Sequence, residues 1–229
     1  MKPALCIVIP VLDEAATIVA ALLSLQDLRR RGACVVVVDG GSADDTLALA
    51  RPLADRVLTA PRGRASQMNA GAAACAAEAL LFLHADTRLP DGADRLVLRA
   101  LQGAQAWGRF DVRIDSPRPL LGVVATLMNA RSRWTGVVTG DQALFVRTAL
   151  FAQVGGFPDL PLMEDLAISR RLARHGRPAC LRERVTTSAR RWERHGVWRT
   201  IGLMWRLRAA YRLGADPREL AIRYGYRPR

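Results

Sequence analysis

Several things are scarce in this sequence, and each absence narrows the possibilities. Lys2 is the only lysine among 229 residues, so the formal charge of +13 is carried by arginines spread along the chain rather than by a lysine-rich arm. A basic surface attracts polyanions whatever their sequence, but an arginine excess this evenly distributed is weak ground for a nucleic-acid partner, and none is expected. Long apolar runs are also missing: Leu5 to Leu12 is broken by Pro10 and stopped by Asp13-Glu14, and Val35 to Val38 ends at Asp39. Both fall well short of the roughly 20 residues that a membrane-spanning helix needs. Lys2 ahead of an apolar stretch looks like a secretory signal, yet the stretch ends in acids without a small-residue cleavage site, which favours a first strand and a cytoplasmic protein. Cys6, Cys34, Cys75 and Cys180 form no C-x-x-C pair, so neither a zinc site nor a disulfide is suggested and buried free thiols are expected. The first strand is not followed by G-x-G-x-x-G, which argues against a nicotinamide-dependent dehydrogenase. Nor is it followed by the glycine-rich basic loop of a sugar-phosphate nucleotidyltransferase.

What is present is a chain half of whose residues are hydrophobic, enough for a sizeable core in one domain. Strand-like runs alternate with helical patterns: strand Ile7 to Val11, helix Thr17 to Arg31, strand Cys34 to Asp39, helix Asp44 to Leu53, strand Arg56 to Thr59, helix Ala65 to Ala77, strand Leu80 to His84. That βαβαβαβ order predicts an α/β fold with a mostly parallel central sheet flanked by helices. Further on, the pattern predicts a helix over Asp91 to Leu101, a strand exposed on one face over Arg109 to Ile114, and a helix over Pro119 to Arg131. It then predicts a strand over Gln142 to Val146, a short helix over Thr148 to Val154, and a helix over Leu162 to His175. From Arg182 to Arg212, tryptophans and leucines interleave with arginines. An ordinary surface helix with a Trp/Leu core face is the favoured expectation, and contact with an anionic membrane surface or an anionic acceptor the alternative.

In an open parallel sheet, ligands bind beyond the carboxyl ends of the strands, and here those ends are acidic. Strand one runs into Pro10-Val11-Leu12-Asp13-Glu14, strand two ends at Asp39-Gly40-Gly41-Ser42, and strand four ends at His84-Ala85-Asp86. Asp13 and Asp44 suit helix caps equally well. Asp39 can accept hydrogen bonds from a base or ribose, with Gly40-Gly41 letting the backbone pass close. Asp86 beside His84 offers ligands to Mn²⁺ or Mg²⁺ bridging a diphosphate. Arg62-Gly63-Arg64, followed by Gln67, Asn69 and Gly71, makes a diphosphate cradle before a helix N-terminus. Glu164 and Asp165 open a later helix. Adjacent helical residues diverge by about a hundred degrees, so one is expected to face a cleft, as general base on a hydroxyl, while the other braces it.

Taken together and in this order, these motifs resemble family 2 glycosyltransferases. They are Ile7-Val8-Ile9-Pro10 with Asp13-Glu14, Val38-Asp39-Gly40-Gly41-Ser42, Gly63-Arg64-Ala65 through Gly71, Phe82-Leu83-His84-Ala85-Asp86, Gly140-Asp141-Gln142, and Gly155-Gly156-Phe157 before Glu164-Asp165. The chain is most similar to their small stand-alone bacterial members associated with radical-SAM or selenium-related domains. The resemblance implies a GT-A fold, the nucleotide-diphospho-sugar transferase architecture. It implies Asp39 on the base of a UDP- or GDP-sugar, Asp86 as the surviving acid of an Asp-x-Asp metal motif, and Asp165, with Glu164 beside it, as catalytic base of an inverting displacement. Donor contacts are implied at Pro10, Asp13, Glu14, Asp39, Gly41, Arg64, Gln67, Asn69, His84, Ala85, Asp86, Asp141, Arg191 and Trp192, with a divalent cation at Asp86 and His84. Arg191-Trp192 resembles the end of the family's Gln-x-x-Arg-Trp motif, with Ser188 in place of glutamine. Residues 1–115 would form the nucleotide-sugar half, 116–190 the acceptor and catalytic half, and 191–229 a basic helical acceptor-side segment. His84 in place of an acid departs from the metal motif. The missing glutamine and the lack of a membrane span argue against a processive polysaccharide synthase and for single-sugar transfer to a small or lipid-linked acceptor. A non-catalytic nucleotide-sugar-binding or membrane-surface module is the competing class.

Overall fold

The first two apolar runs are buried on both faces, as interior strands of a parallel sheet must be. In the computed structural model, which describes residues 2–226, they are β1 (Leu5–Val11) and β2 (Cys34–Asp39), separated by α1 (Ala15–Leu23) and α2 (Gln26–Arg30). Next come α3 (Thr46–Ala50), β3 (Arg56–Thr59), α4 (Arg64–Ala73), β4 (Ala79–Phe82), β5 (Thr87–Arg88), α5 (Ala93–Gln102), β6 (Trp107–Asp115) and α6 (Pro119–Thr135). The remainder is β7 (Phe145–Arg147), α7 (Thr148–Gln153), α8 (Glu164–Ala173), β8 (Ala179–Ser188), α9 (Arg190–His195), α10 (Val197–Arg212) and α11 (Pro217–Arg223). One eight-stranded sheet runs in the order β3-β2-β1-β4-β7-β6-β8-β5. Its first four strands are parallel, as is the β6–β8 pair, while β7 is antiparallel to both β4 and β6 and β5 is antiparallel to β8.

Alternation along β1 and β2 divides the apolar residues between two cores. Leu5, Ile7, Ile9, Val35 and Val37 face one, filled by Ile18, Leu22 and Leu25 and by Val97, Leu121 and Val124 of α5 and α6. Val8, Val36 and Val38 face the other, with Met68 and Ala72 of α4, Phe151 of α7 and Ile168 of α8. α4 lies so close to the sheet that a Cβ on Gly71 would come within 2.3 Å of Val8 Cγ1 and 2.9 Å of Val38 Cγ2, so only glycine fits there. A third, smaller cluster joins Met163 and Leu166 to Leu207 and Leu220, bringing α10 and α11 against the start of α8.

Four expectations need correction. The helix expected over Thr17 to Arg31 is two helices, because the Ser24 hydroxyl bonds back to Ala21 O and the Gln26 amide takes the Leu22 and Leu53 carbonyls, side-chain bonds that compete with the helical ladder. β6 is buried on both faces over most of its length, with α6 against it. Its polar residues are accommodated internally: fully buried Arg109 pairs with Asp111 and also donates to Ser132 Oγ and Asn129 O. Cys6 and Cys75 are not free thiols but form a disulfide, with Cα atoms 6.4 Å apart, because α4 lays its C-terminal end over the start of β1; Cys34 and Cys180 are free. In α10 the leucines turn inward, but Trp198 and Trp205 are 74% and 72% exposed, so the expected Trp/Leu core face is a leucine face only. Among the described residues no helix is long and apolar enough to cross a membrane.

Candidate functional site

The loops leaving β1 and β2 are laced together by short polar side chains. Asp13 N donates to Ser42 Oγ, Glu14 N to Thr46 Oγ1 and Ala15 N to Asp44 Oδ2, while Asp13 Oδ1 accepts from Ala43 N. Gln67 reaches up from α4 and donates to both Val11 O and Val38 O at 2.8 Å, satisfying two carbonyls where the strands end. These bonds hold open the mouth of a cavity of about 400 Å³, a size suited to a small-molecule site.

Its walls bring together residues far apart in the chain. Pro10 and Glu14 come from the end of β1, Arg64 and Gln67 from α4, and His84, Ala85 and Asp86 from beyond β4. Asp141 sits in the turn before β7, Glu164 and Asp165 open α8, and Arg191 and Trp192 belong to α9. Four of the expected site residues are not on the wall: Asp13, Asp39, Gly41 and Asn69. Asp39 is 1% exposed and its carboxylate is occupied by the amides of Gly41 and Ser42 and by the Ser42 hydroxyl, so it shapes the loop after β2 instead of presenting a free acceptor. Gly41, at φ +93°, makes that turn. Asn69 clamps the Gly155-Gly156-Phe157 loop through paired bonds with Phe157 N and O. Glu164 and Asp165 both line the cavity, where only one was expected to, because left-handed Met163 tips the first turn of α8 toward it.

Residues that the sequence did not single out complete the wall. Arg190, adjacent to the expected Arg191, lies 3.2 Å from Glu14 and 3.6 Å from Asp86. Arg208 and Met204 of α10, together with Tyr224 and Tyr226, close the far side. Arg191 lies 3.5 Å from the ring centre of Tyr224 and donates to its carbonyl, fastening the C-terminal segment to α9. Arg190 stands beside a motif that was read, so proximity to it was the available signal. The tyrosines carried none.

The electrostatics are strongly perturbed, as is common in functional clefts. Burial, reinforced by the charge of Asp165, raises Glu164 to about 7. Burial alone would raise Asp141 as well, but a bond with His84 and the charges of His84, Arg64 and Arg208 hold it below its ordinary value. Arg64, exposed at the start of α4, loses part of its hydration among its neighbours but is raised, chiefly by the charge of Glu164. His84 Nδ1 lies 3.5 Å from Asp141 Oδ1, and its ring packs so closely on Gly140 that a Cβ there would sit 2.4 Å from Cε1. Asp165 accepts from Gly140 N at 3.2 Å and from its own helix at Leu166 N.

A hard divalent ion fits Asp86 only in part. Among the described residues the one trio of His, Cys, Asp or Glu with ligand atoms mutually within 4.8 Å is Cys6, Cys34 and Cys75, at the opposite end of β1. Asp86 and His84 therefore do not form a cage by themselves. They suit the arrangement in which Mg²⁺ or Mn²⁺ is held by one or two protein groups and completed by substrate phosphates.

Solved structures share this architecture. S. aureus TarS 1–349 in complex with UDP aligns at TM-score 0.66 and 20% identity over 82% of this chain and 60% of that one. The mannosyltransferase PcManGT from Pyrobaculum calidifontis, in complex with GDP-Man and Mn²⁺, aligns at TM-score 0.65 and 23% identity over 100% of this chain and 66% of that one. The chain spans 61% of TarS 1–349 and 37% of full TarS. Among curated protein sequences none matches. The structural likeness shows a GT-A fold. The sequence profile described as "Glycosyl transferase family 2" matches residues 6–149, more than half of the chain, and with the GT-A sheet and the acid-lined cavity at its strand ends this places the protein in glycosyltransferase family 2.

Proposed function

We propose that this protein transfers a single sugar from a nucleoside-diphosphate donor, a UDP- or GDP-sugar, to a hydroxyl of a small or lipid-linked acceptor, with inversion at the anomeric carbon. The observation that carries this is the convergence of Asp86, Asp165, Arg64 and Arg190 on one cavity from four separate elements. Asp165 accepts the proton of the attacking hydroxyl; its carboxylate is oriented by the amides of Gly140 and Leu166. Glu164, raised to about 7, is largely protonated in mild acid, which limits repulsion beside Asp165. Arg64 and Arg190 stabilise charge growing on the departing diphosphate. Asp86, with His84 beside it, would hold Mn²⁺ or Mg²⁺, which when bound neutralises the diphosphate. Asp39 acts on the donor indirectly, by setting the loop beside the nucleobase.

In this scheme residues 1–115 hold the donor and 116–190 the acceptor and the base, while the segment from 191 to 226 closes the acceptor side. The fold neighbours that hold UDP, UDP-GlcNAc or GDP-Man with Mn²⁺ support the donor class. Membership of the radical-SAM or selenium-associated subgroup rests on the sequence resemblance. Exposed Trp198 and Trp205, flanked by exposed Arg199, Arg206 and Arg212, support a second element, contact of α10 with an anionic membrane surface. Calorimetry with a panel of nucleotide-sugars, with and without Mn²⁺, tests the donor site: at least one is expected to bind more tightly with the metal, and binding of none in either condition sinks the assignment.

A further inference from the structure

Arg131, Arg208 and Arg212 gather at the α6–α10 wall, within reach of the charges of Asp165 and Asp141 but in no ion pair with them. Arg131 on α6 lies one turn beyond cavity-lining Met128, and its Nε and Nη2 are buried without a hydrogen-bond partner. Such atoms are rare, because an unpaired buried donor loses its hydration and gains nothing in return. Burial and then the nearby charges of Arg208, Arg109 and Arg212 push Arg131 down to about 10, against the pull of Asp165. Arg109 is committed to Asp111. Among the described residues no carboxylate lies within 4.0 Å of Arg131, Arg208 or Arg212. Elsewhere in the cavity Arg190 has Glu14 at 3.2 Å and Asp86 at 3.6 Å.

We propose that this wall is an acceptor subsite for a phosphate monoester, bound by Arg208 at the cavity surface and favoured by the charge of Arg131 behind it. The inference rests on the acceptor-side assignment of Asp165 made above. Guanidinium groups bind phosphate through paired, charge-assisted hydrogen bonds, and a dianion answers several arginines that make no ion pair where a neutral sugar answers none. The donor groups come from β1, α4, the segment after β4 and Arg190 of α9, so the α6–α10 wall is left to the acceptor. Asp165 lies within electrostatic reach of Arg131, so the attacking hydroxyl belongs a few bonds from the phosphate. A soluble phosphorylated alcohol and a lipid-linked phosphate share this chemistry.

Calorimetric titration with glycerol 3-phosphate and with geranyl phosphate, each beside its neutral alcohol, separates the two sources. It is run on the nucleotide-free protein and on protein saturated with UDP and Mn²⁺. At least one phosphate ester is expected to bind and its alcohol not, the tighter ester naming the source. Arg208→Gln and Arg131→Gln should each weaken that binding about tenfold or more, whereas Arg206→Gln, on the exposed side of α10, should not. Arg208 is only half buried, so its variant decides the matter if Arg131→Gln does not fold. Failure of both esters to bind, or undiminished binding to Arg208→Gln, overturns the inference. The UDP arm is independent: loss of UDP binding would sink the donor site while the ester titration of nucleotide-free protein still decides this subsite.

Discussion

Replacing Glu164 by glutamine should make the protein more stable in mild alkali and change it little in acid. Glu164 is 6% exposed, and burial together with the neighbouring charge of Asp165 lifts it from an ordinary 4.5 to about 7, with Arg64 opposing. Between those two values the folded protein keeps a proton that the unfolded chain has released, so stability falls as pH rises through the window. At about 1.4 kcal/mol for each pH unit, the full penalty above the window is roughly 3 kcal/mol. Glutamine has the same shape and no charge to bury, so the penalty disappears. Urea denaturation of both proteins at pH 5 and pH 8.5 reads the titration of Glu164 together with its coupling to Asp165. The stability gap in favour of the variant should widen by roughly 2.5 kcal/mol between the two conditions. A variant no more stable than the parent at pH 8.5 would refute the reasoning, because the ionised carboxylate would then be fully supported by Arg64.

Asp165→Asn should lower transfer by about a hundredfold or more and leave nucleotide affinity unchanged, as stopped assays and calorimetry would register; a purely structural Asp165 would lower both or neither. Asp86→Ala should weaken metal-dependent donor binding about tenfold or more, read as a loss of the difference between titrations with and without Mn²⁺. Gly140→Ala drives a methyl into the His84 ring at 2.4 Å. Overpacking of that kind costs about 1–3 kcal/mol, so a fall in Tm is expected in thermal denaturation.

Much of the first half of the molecule could be read directly. β2 and β3 begin and end where the pattern places them, and β1 and β4 deviate by two residues or fewer at each end; for β1 and β2 the reason is that a strand buried on both faces must be continuously apolar and is cut off sharply by Asp39 or by the acids after β1. Gly71 stood out as a motif residue, and its reason proved to be the closeness of α4 to Val8 and Val38. The second half was less legible. β8 carries exposed, charged residues where it pairs with β6, so no alternation announced it. β5 is two residues long and exists only because β8 lies beside it. The tyrosines of the C-terminal segment and Arg208 enter the cavity through packing on α8 and α9, which no local pattern encodes.

The sequence alone determined the parallel core, the acidic strand ends and the family, since these depend on residue type and order over short stretches, where periodicity and strand-end chemistry act locally. The tertiary structure decided which of those acids face a common space. It turned Asp39 into its own loop, brought both Glu164 and Asp165 to the wall, joined Cys6 to Cys75 across 69 residues, and left Nε and Nη2 of Arg131 buried without a hydrogen-bond partner. Each of these depends on how segments distant in the chain pack against one another, and burial and charge proximity arise only once that packing exists.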